Sequence, residues 1–280
     1  MQALDPVAAD YLTALTERAQ LLLLSDLVGV YAAGSIALDA YEPGRSDIDV
    51  AIVCSAELPV ATKQAIVAAL RHESLPCPAR GLELVVYRTE VAGGATGDPG
   101  FEVELNTGPR MDFRATYAGA DRKERDGTFW YAVDRSILAE RGLALLGPPA
   151  QQVFRSVPDD ELVRLLIASL RWHVGAESGA IGVAEEQEYA SWTDDAVLNS
   201  CRALQRVRTG HWFSKVEAGR QVLANRSPEA TGPLAGEEVL DPGVIRQALD
   251  ARGGAAPPSV RLARQFQREV LAALEKIDRG

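Results

Sequence analysis

Apolar residues recur along this chain with two alternating periods, and later with one. From about Pro6 to Leu27, Val7, Tyr11, Leu12, Leu15, Leu21, Leu22 and Leu23 fall at roughly helical spacing. Leu27 to Ala33 is then short, apolar and strand-like, and Gly34-Ser35 ends it ahead of a brief helical turn at Ile36-Ala37-Leu38. Tyr41 to Ser46, with Pro43 and Gly44, reads as a loop. A second apolar strand is expected over Ile48 to Cys54. A helix follows over Val60 to His72, with Val60, Ile66, Val67 and Leu70 on one side. Leu82 to Tyr87 is a third strand, β-branched and apolar apart from one carboxylate. Gly93, Gly94, Gly97 and Gly100 mark a flexible connection. Phe101 to Asn106 alternates as a half-exposed strand does, and Thr128 to Arg141 is helical up to Gly142.

Past Gly147-Pro148-Pro149 the strand period disappears. Asp159, Asp160 and Glu161 follow Pro158 and open a helix whose dipole they complement; Leu162, Leu165, Leu166 and Leu170 continue it. Further helical patterns cover Thr193 to Thr209, Ser214 to Leu223 and Ser259 to Asp278, while Pro228 to Gly236 is loop-like. The expected class is α+β. Residues 1–155 form a domain of mixed strands and helices, and residues 156–280 an all-α helical bundle.

Charge narrows the partners. Thirty-nine Asp and Glu against 29 Lys and Arg give a net charge of −10 over 280 residues, which argues against a duplex-DNA binder. The three cysteines, Cys54, Cys77 and Cys201, are too sparse for a disulfide framework or a zinc ligand set, as suits a reducing cytoplasm. The first residues lack the features of a signal peptide. No apolar run reaches the roughly 18–20 residues that cross a bilayer. A cytoplasmic protein, binding neither nucleic acid nor membrane, is expected.

Candidate chemistry concentrates in Gly34-Ser35 and, ten residues on, Ser46-Asp47-Ile48-Asp49. Two aspartates at i and i+2 of a strand share a face and can chelate Mg²⁺ through oxygen. A Gly-Ser turn offers backbone N–H groups and a hydroxyl to a phosphate, with no side chain at Gly34 to block approach. His173 and His211 read as helix-face residues and Cys54 as core.

On these residues the chain resembles the nucleotidyltransferase superfamily with a polymerase-β-like core. Within it, the chain is similar to the aminoglycoside (spectinomycin/streptomycin) adenylyltransferases. The resemblance rests on Tyr31-Ala-Ala-Gly-Ser35, Ser46-Asp-Ile-Asp49, Leu82-Glu83-Leu84, Leu145-Leu-Gly-Pro148 and Val157-Pro158. It continues through Val197-Leu198…Arg202 and Thr209-Gly210…Ser214-Lys215. It implies a mixed-sheet nucleotidyltransferase domain followed by a helical domain; a monomer is expected. Asp47 and Asp49 are implied as Mg²⁺ ligands, with a third carboxylate from a later strand that deprotonates the acceptor. Glu83, the one acid in an apolar strand, is the candidate, with Glu102 and Glu104 behind it. Gly34, Ser35 and Ser46 would meet the triphosphate of ATP, and Arg202 and Lys215 would reach it from the helical domain. The resemblance also implies an adenine-stacking aromatic, near whose place this chain has Leu249.

Between Arg171 and Arg202 there is no Lys or Arg, while Glu177, Glu185, Glu186, Glu188, Asp194 and Asp195 lie there among Trp172, Tyr189 and Trp192. Carboxylates interleaved with aromatic faces suit a cationic, sugar-like ligand. The family resemblance implies a drug-contacting Trp within one residue of Trp172 and acidic partners between Tyr189 and Asp195, so Trp172, Trp192, Asp194 and Asp195 are the expected acceptor contacts. The expected reaction is Mg²⁺-dependent AMP transfer from ATP to a drug hydroxyl, giving pyrophosphate and antibiotic resistance. The alternatives are the same chemistry on a protein side chain or another metabolite, or a non-catalytic nucleotide sensor.

Overall fold

Two strands buried on both faces organise the N-terminal half: β2 (Ile48–Cys54) and β3 (Leu82–Arg88). They run parallel, joined by helix α3 (Val60–Leu70), with Ile48 opposite Leu82 and Asp49 opposite Glu83. All other pairings in the sheet are antiparallel. β1 (Leu27–Ala32) lies beside β2 and β4 (Phe101–Gly108) beside β3. Two strands absent from the sequence reading close the edges: β5 (Met111–Thr116) outside β4 and β6 (Leu143–Leu146) outside β1. The computed structural model describes residues 4–122, 127–175, 192–225 and 240–279. The chain divides into two compact units, 1–158 and 159–280.

Side-chain alternation splits the sheet into two faces. Val30, Ile48, Val50, Ile52, Leu84 and Val86 pack with Leu12 and Leu15 of helix α1 (Pro6–Leu23) and with Ile66 and Leu70 of α3. Each such fully buried aliphatic side chain contributes about 1.5–3 kcal/mol. α1 starts where Asp5 accepts the Ala8 N–H at 3.0 Å and Pro6 occupies the first turn. On the opposite face Tyr31, Ala51, Val53 and Tyr87 pack against Tyr131 and Leu138 of helix α5 (Phe129–Arg141) and against Phe154. Two four-residue helices sit between strands, α2 (Gly34–Ala37) after β1 and α4 (Thr89–Ala92) after β3; a third, α6 (Ala150–Val153), follows β6.

The half-exposed reading of β4 is corrected by the structure. Glu102 and Glu104 are only 3% and 5% exposed. Opposite Val86 and Tyr87 the register moves from Val103 to Phe101, so Glu102 is the extra residue of a bulge and leaves the alternation. Its carboxylate meets Lys63 Nζ at 2.8 Å, Arg88 Nε at 3.1 Å and the Leu58 N–H at 3.1 Å. Glu104 accepts from Thr116 Oγ1 at 2.7 Å, Arg114 at 3.0 Å and Arg122 at 3.0 Å. The glycine-rich connection is also held. Arg135 of α5, 1% exposed, donates to the carbonyls of Thr96, Asp98 and Pro99.

The second unit is helical throughout its described residues: α7 (Asp159–Gly175), α8 (Thr193–Thr209), α9 (Lys215–Ala224), α10 (Pro242–Ala251) and α11 (Val260–Arg279). Local chemistry sets the ends. Gly210 closes α8 in the left-handed region at φ 75°, and Ser214 caps α9 by accepting the Glu217 N–H at 3.2 Å. Asp241 and Pro242 start α10, which the sequence reading did not include. α8 packs against the other four helices through residues that include Val197, Leu198, Cys201 and Leu204. No described helix is long and apolar enough to cross a membrane. The loop-like reading of Pro228 to Gly236 lies outside the described residues.

Removing one partner of a buried ion pair strands the other, at about 3–5 kcal/mol. Glu104→Leu leaves Arg114 and Arg122 without their carboxylate, so a loss of that size is expected in urea unfolding. A midpoint within experimental error of the parent contradicts this assignment.

Candidate active site

The β2–β3 register brings like charges together. Asp49 and Glu83 are paired across adjacent strands and point to the α5 face, and Asp47 lies two residues before Asp49, just ahead of β2. The Ala33 N–H donates to the Asp49 carbonyl at 2.9 Å, which carries the β1–β2 ladder to the start of α2. There the chain turns at Gly34, φ 51°, and a Cβ at this position would stand 1.8 Å from Asp49 Oδ2. Glycine is thus required twice over, for the backbone angle and for the carboxylate resting on it. Ser35 follows, and its Oγ is buried with no hydrogen-bond partner among the described residues. A buried hydroxyl without a partner, one residue after the turn on which Asp49 rests, is what a site for a polar ligand presents.

Ser46 holds the preceding loop shut. Its Oγ accepts the Glu42 N–H at 3.0 Å, and its own N–H donates to the Glu42 carbonyl at 2.9 Å. The Arg110 guanidinium reaches the Gly44 carbonyl at 2.5 Å and pins the loop to the turn between β4 and β5.

Glu83 is desolvated by the protein atoms packed around it. Burial raises its pKa to about 7; the charges of Asp47 and of Asp134 on α5 add to the rise, and Arg80 and Arg114 oppose it. Arg80 is the member of this charged cluster that sequence reasoning missed. Its Nη2 hydrogen-bonds Asp47 Oδ2 and stands 3.6 Å from Glu83 Oε1. The available signal was a cation three positions before the lone acid of an apolar strand.

Three carboxylates on one face are a donor set suited to a hard divalent cation. As they stand, no group of three or more His, Cys, Asp or Glu side chains among the described residues is gathered closely enough to hold an ion. Glu102 and Glu104, the other acids considered for this role, are taken up by the internal ion pairs described above.

The remaining predicted residues belong to the helical unit. Asp195 accepts from Lys215 Nζ at 2.7 Å and from Arg252 at 2.5 Å, and buried Asp194 lies 3.3 Å from Arg252 Nε. Asp194, Asp195 and Lys215 are therefore brought together, with Arg252 as an unanticipated fourth member. The Arg202 guanidinium lies 5.9 Å from the ring centre of buried Trp212. Trp172 is 42% exposed on α7, edge-on to His173 at 5.1 Å, and Trp192 is half-buried just before α8. Glu177, Glu185, Glu186, Glu188 and Tyr189 lie outside the described residues.

No protein-family model and no curated protein sequence matches the chain. Among solved structures it is similar to the spectinomycin adenyltransferase AAD(9) from Enterococcus faecialis, determined with ATP and spectinomycin. The TM-score is 0.66 at 12% identity, over 96% of this chain and 99% of that one. Identity this low makes the likeness one of fold. The expected α+β architecture, a mixed six-stranded sheet with helices and then a helical region, is the architecture found, and it is the fold of that adenyltransferase structure.

Proposed function

We propose that this chain is a Mg²⁺-dependent nucleotidyltransferase that moves AMP from ATP to a hydroxyl of a cationic aminoglycoside of the streptomycin/spectinomycin type, releasing pyrophosphate. The observation that carries the reading is the Asp49–Glu83 register pair, with Asp47 on the same face and Asp49 resting on Gly34. The fold and the ATP and spectinomycin held by the similar structure support it.

Asp47, Asp49 and Glu83 would hold the ion, which supplies charge neutralisation for the phosphates. Every other assignment concerns the chain's own groups. The Gly34 turn admits a phosphate without a side chain in its way, and the unpartnered Ser35 hydroxyl offers a hydrogen bond. Ser46, whose Oγ now closes its own loop on the Glu42 N–H, is assigned to the triphosphate as well. Glu83 is assigned as the base that takes the acceptor's hydroxyl proton. Arg202 and Lys215 are assigned to the triphosphate, where a guanidinium fork and an ammonium suit phosphate oxygens. Trp172 and Trp192 are assigned to the acceptor's rings. Asp194 and Asp195 are assigned to its cationic groups, in competition with Arg252 and Lys215. Resistance to the drug is the proposed consequence of the transfer.

An aminoglycoside panel with MgATP, read by pyrophosphate release, tests the substrate. Release with streptomycin or spectinomycin is expected, and a fall of about 10²–10⁴-fold in Glu83→Gln. Silence across the panel, with labelled AMP appearing on a polypeptide instead, overturns the drug assignment.

The raised pKa of Glu83 also has a stability consequence. The folded value exceeds the unfolded one, so the contribution is fully present below the ordinary carboxylate value and is lost as pH rises through about 7. In metal-free protein, Glu83→Gln should melt above the parent near pH ~8, and the gap should shrink near pH ~5.5. A gap of the same size at both pH values contradicts the charge origin of the effect.

Gly34→Ala should leave the melting temperature within a few degrees of the parent while cutting transfer by an order of magnitude or more, because the new methyl group displaces the Asp49 carboxylate. Full transfer activity in that variant would remove Asp49 from the site.

A further inference from the structure

The acidic face already holds a cation of its own. Arg80 donates to Asp47 and stands 3.6 Å from Glu83, and the charge of Asp49 acts on it as well. Those are the three carboxylates assigned above to the divalent ion. Neighbouring arginines are committed elsewhere: Arg114 and Arg122 meet Glu104, and Arg110 reaches the Gly44 carbonyl.

We propose that Arg80 is an internal counter-ion, which a divalent cation must displace from Asp47 and Glu83 in order to bind. The inference rests on the metal assignment made under the proposed function and gives it a regulatory part. Two positive groups cannot share the same carboxylate oxygens, so occupancy by one lowers affinity for the other.

The local backbone is arranged to let the side chain leave. The Arg80 N–H donates to the Ser46 carbonyl at 3.1 Å and the Arg80 carbonyl accepts the Arg110 N–H at 3.1 Å. The Gly81 carbonyl accepts the Ile48 N–H at 2.9 Å. None of these bonds involves the guanidinium. That side chain is 25% exposed, so it has a path to solvent that does not cross the core. In the metal-free protein Arg80 offsets the mutual repulsion of the carboxylates. Once displaced, it leaves them to the stronger charge.

The test is Mn²⁺ binding to the full chain, followed by the electron paramagnetic resonance of free Mn²⁺ without nucleotide, in the parent, Arg80→Gln and Arg80→Lys. Arg80→Gln should bind Mn²⁺ at least about fivefold more tightly, the lower end of ordinary coupling between linked ligands. Without metal it should melt below the parent, and saturating Mn²⁺ should raise its melting temperature by more than the parent's. A purely structural arginine would instead give the lower melting temperature with unchanged or weaker Mn²⁺ binding, and that result overturns the proposal. Arg80→Lys keeps a charge without the fork, so its affinity should fall between the two. It decides the matter if Arg80→Gln does not fold, since binding no tighter than the parent's then counts against the inference. Binding to parent and variants alike removes only the role of Arg80, whereas no Mn²⁺ binding to any of the three removes the metal assignment and the inference with it.

Discussion

The parallel pairing of β2 with β3 puts Asp49 directly across from Glu83, and much of the N-terminal unit answers to that juxtaposition. Like charges opposite one another in a sheet are unfavourable. Here the cost falls on a pair whose strands are otherwise apolar and buried on both faces, so the register cannot slip to relieve it. A shift by one residue would turn Ile48, Val50 and Ile52 away from α1 and α3 and drive Asp49 into that core. Hydrophobic burial thus enforces an electrostatic arrangement that the carboxylates alone would not adopt.

The surroundings respond in two ways. Arg80 supplies positive charge to Asp47 and Glu83, and Glu83 is held toward its neutral form by burial and by its acidic neighbours. One strand away, the same problem is solved completely. Glu104 is nearly as buried as the core, yet Thr116, Arg114 and Arg122 satisfy it, and its exposure to chemistry ends there. Glu104 has its hydrogen bonds filled by its neighbours, whereas Asp47 and Glu83 share the Arg80 guanidinium.

Most of this was legible in the order of residues, and the failures have physical causes. β2 and β3 announced themselves because strands covered on both faces must be apolar runs. β5 did not, since Met-Asp-Phe-Arg-Ala-Thr at a sheet edge is partly exposed and carries no such run; β6 is four residues long. Alternation misplaced Glu102 because a bulge adds a residue that no period can show. Within the candidate site, Gly34, Ser35, Asp47 and Asp49 stood out by local spacing and strand parity, and Glu83 only once the resemblance implied a third carboxylate and the lone acid of an apolar strand could fill that place. Arg80 did not, because its partner Asp47 lies 33 positions away and the pairing exists only once the strands assemble. The same holds for Asp194 and Asp195. Their stretch lacks Lys and Arg, which suggested an external cation, but Arg252, 57 positions beyond Asp195, already faces them.

The central claim is that Asp47, Asp49 and Glu83 together form a divalent-cation site at the start of β2 and β3. A crystal structure with Mn²⁺ and a non-hydrolysable ATP analogue, read by anomalous scattering, tests it most directly. The account predicts a Mn²⁺ peak at about 2.0–2.6 Å from carboxylate oxygens of at least two of these residues, distances typical of oxygen-bound Mg²⁺ and Ca²⁺. An ion held by other residues, with the Arg80 guanidinium still on Asp47, would contradict it.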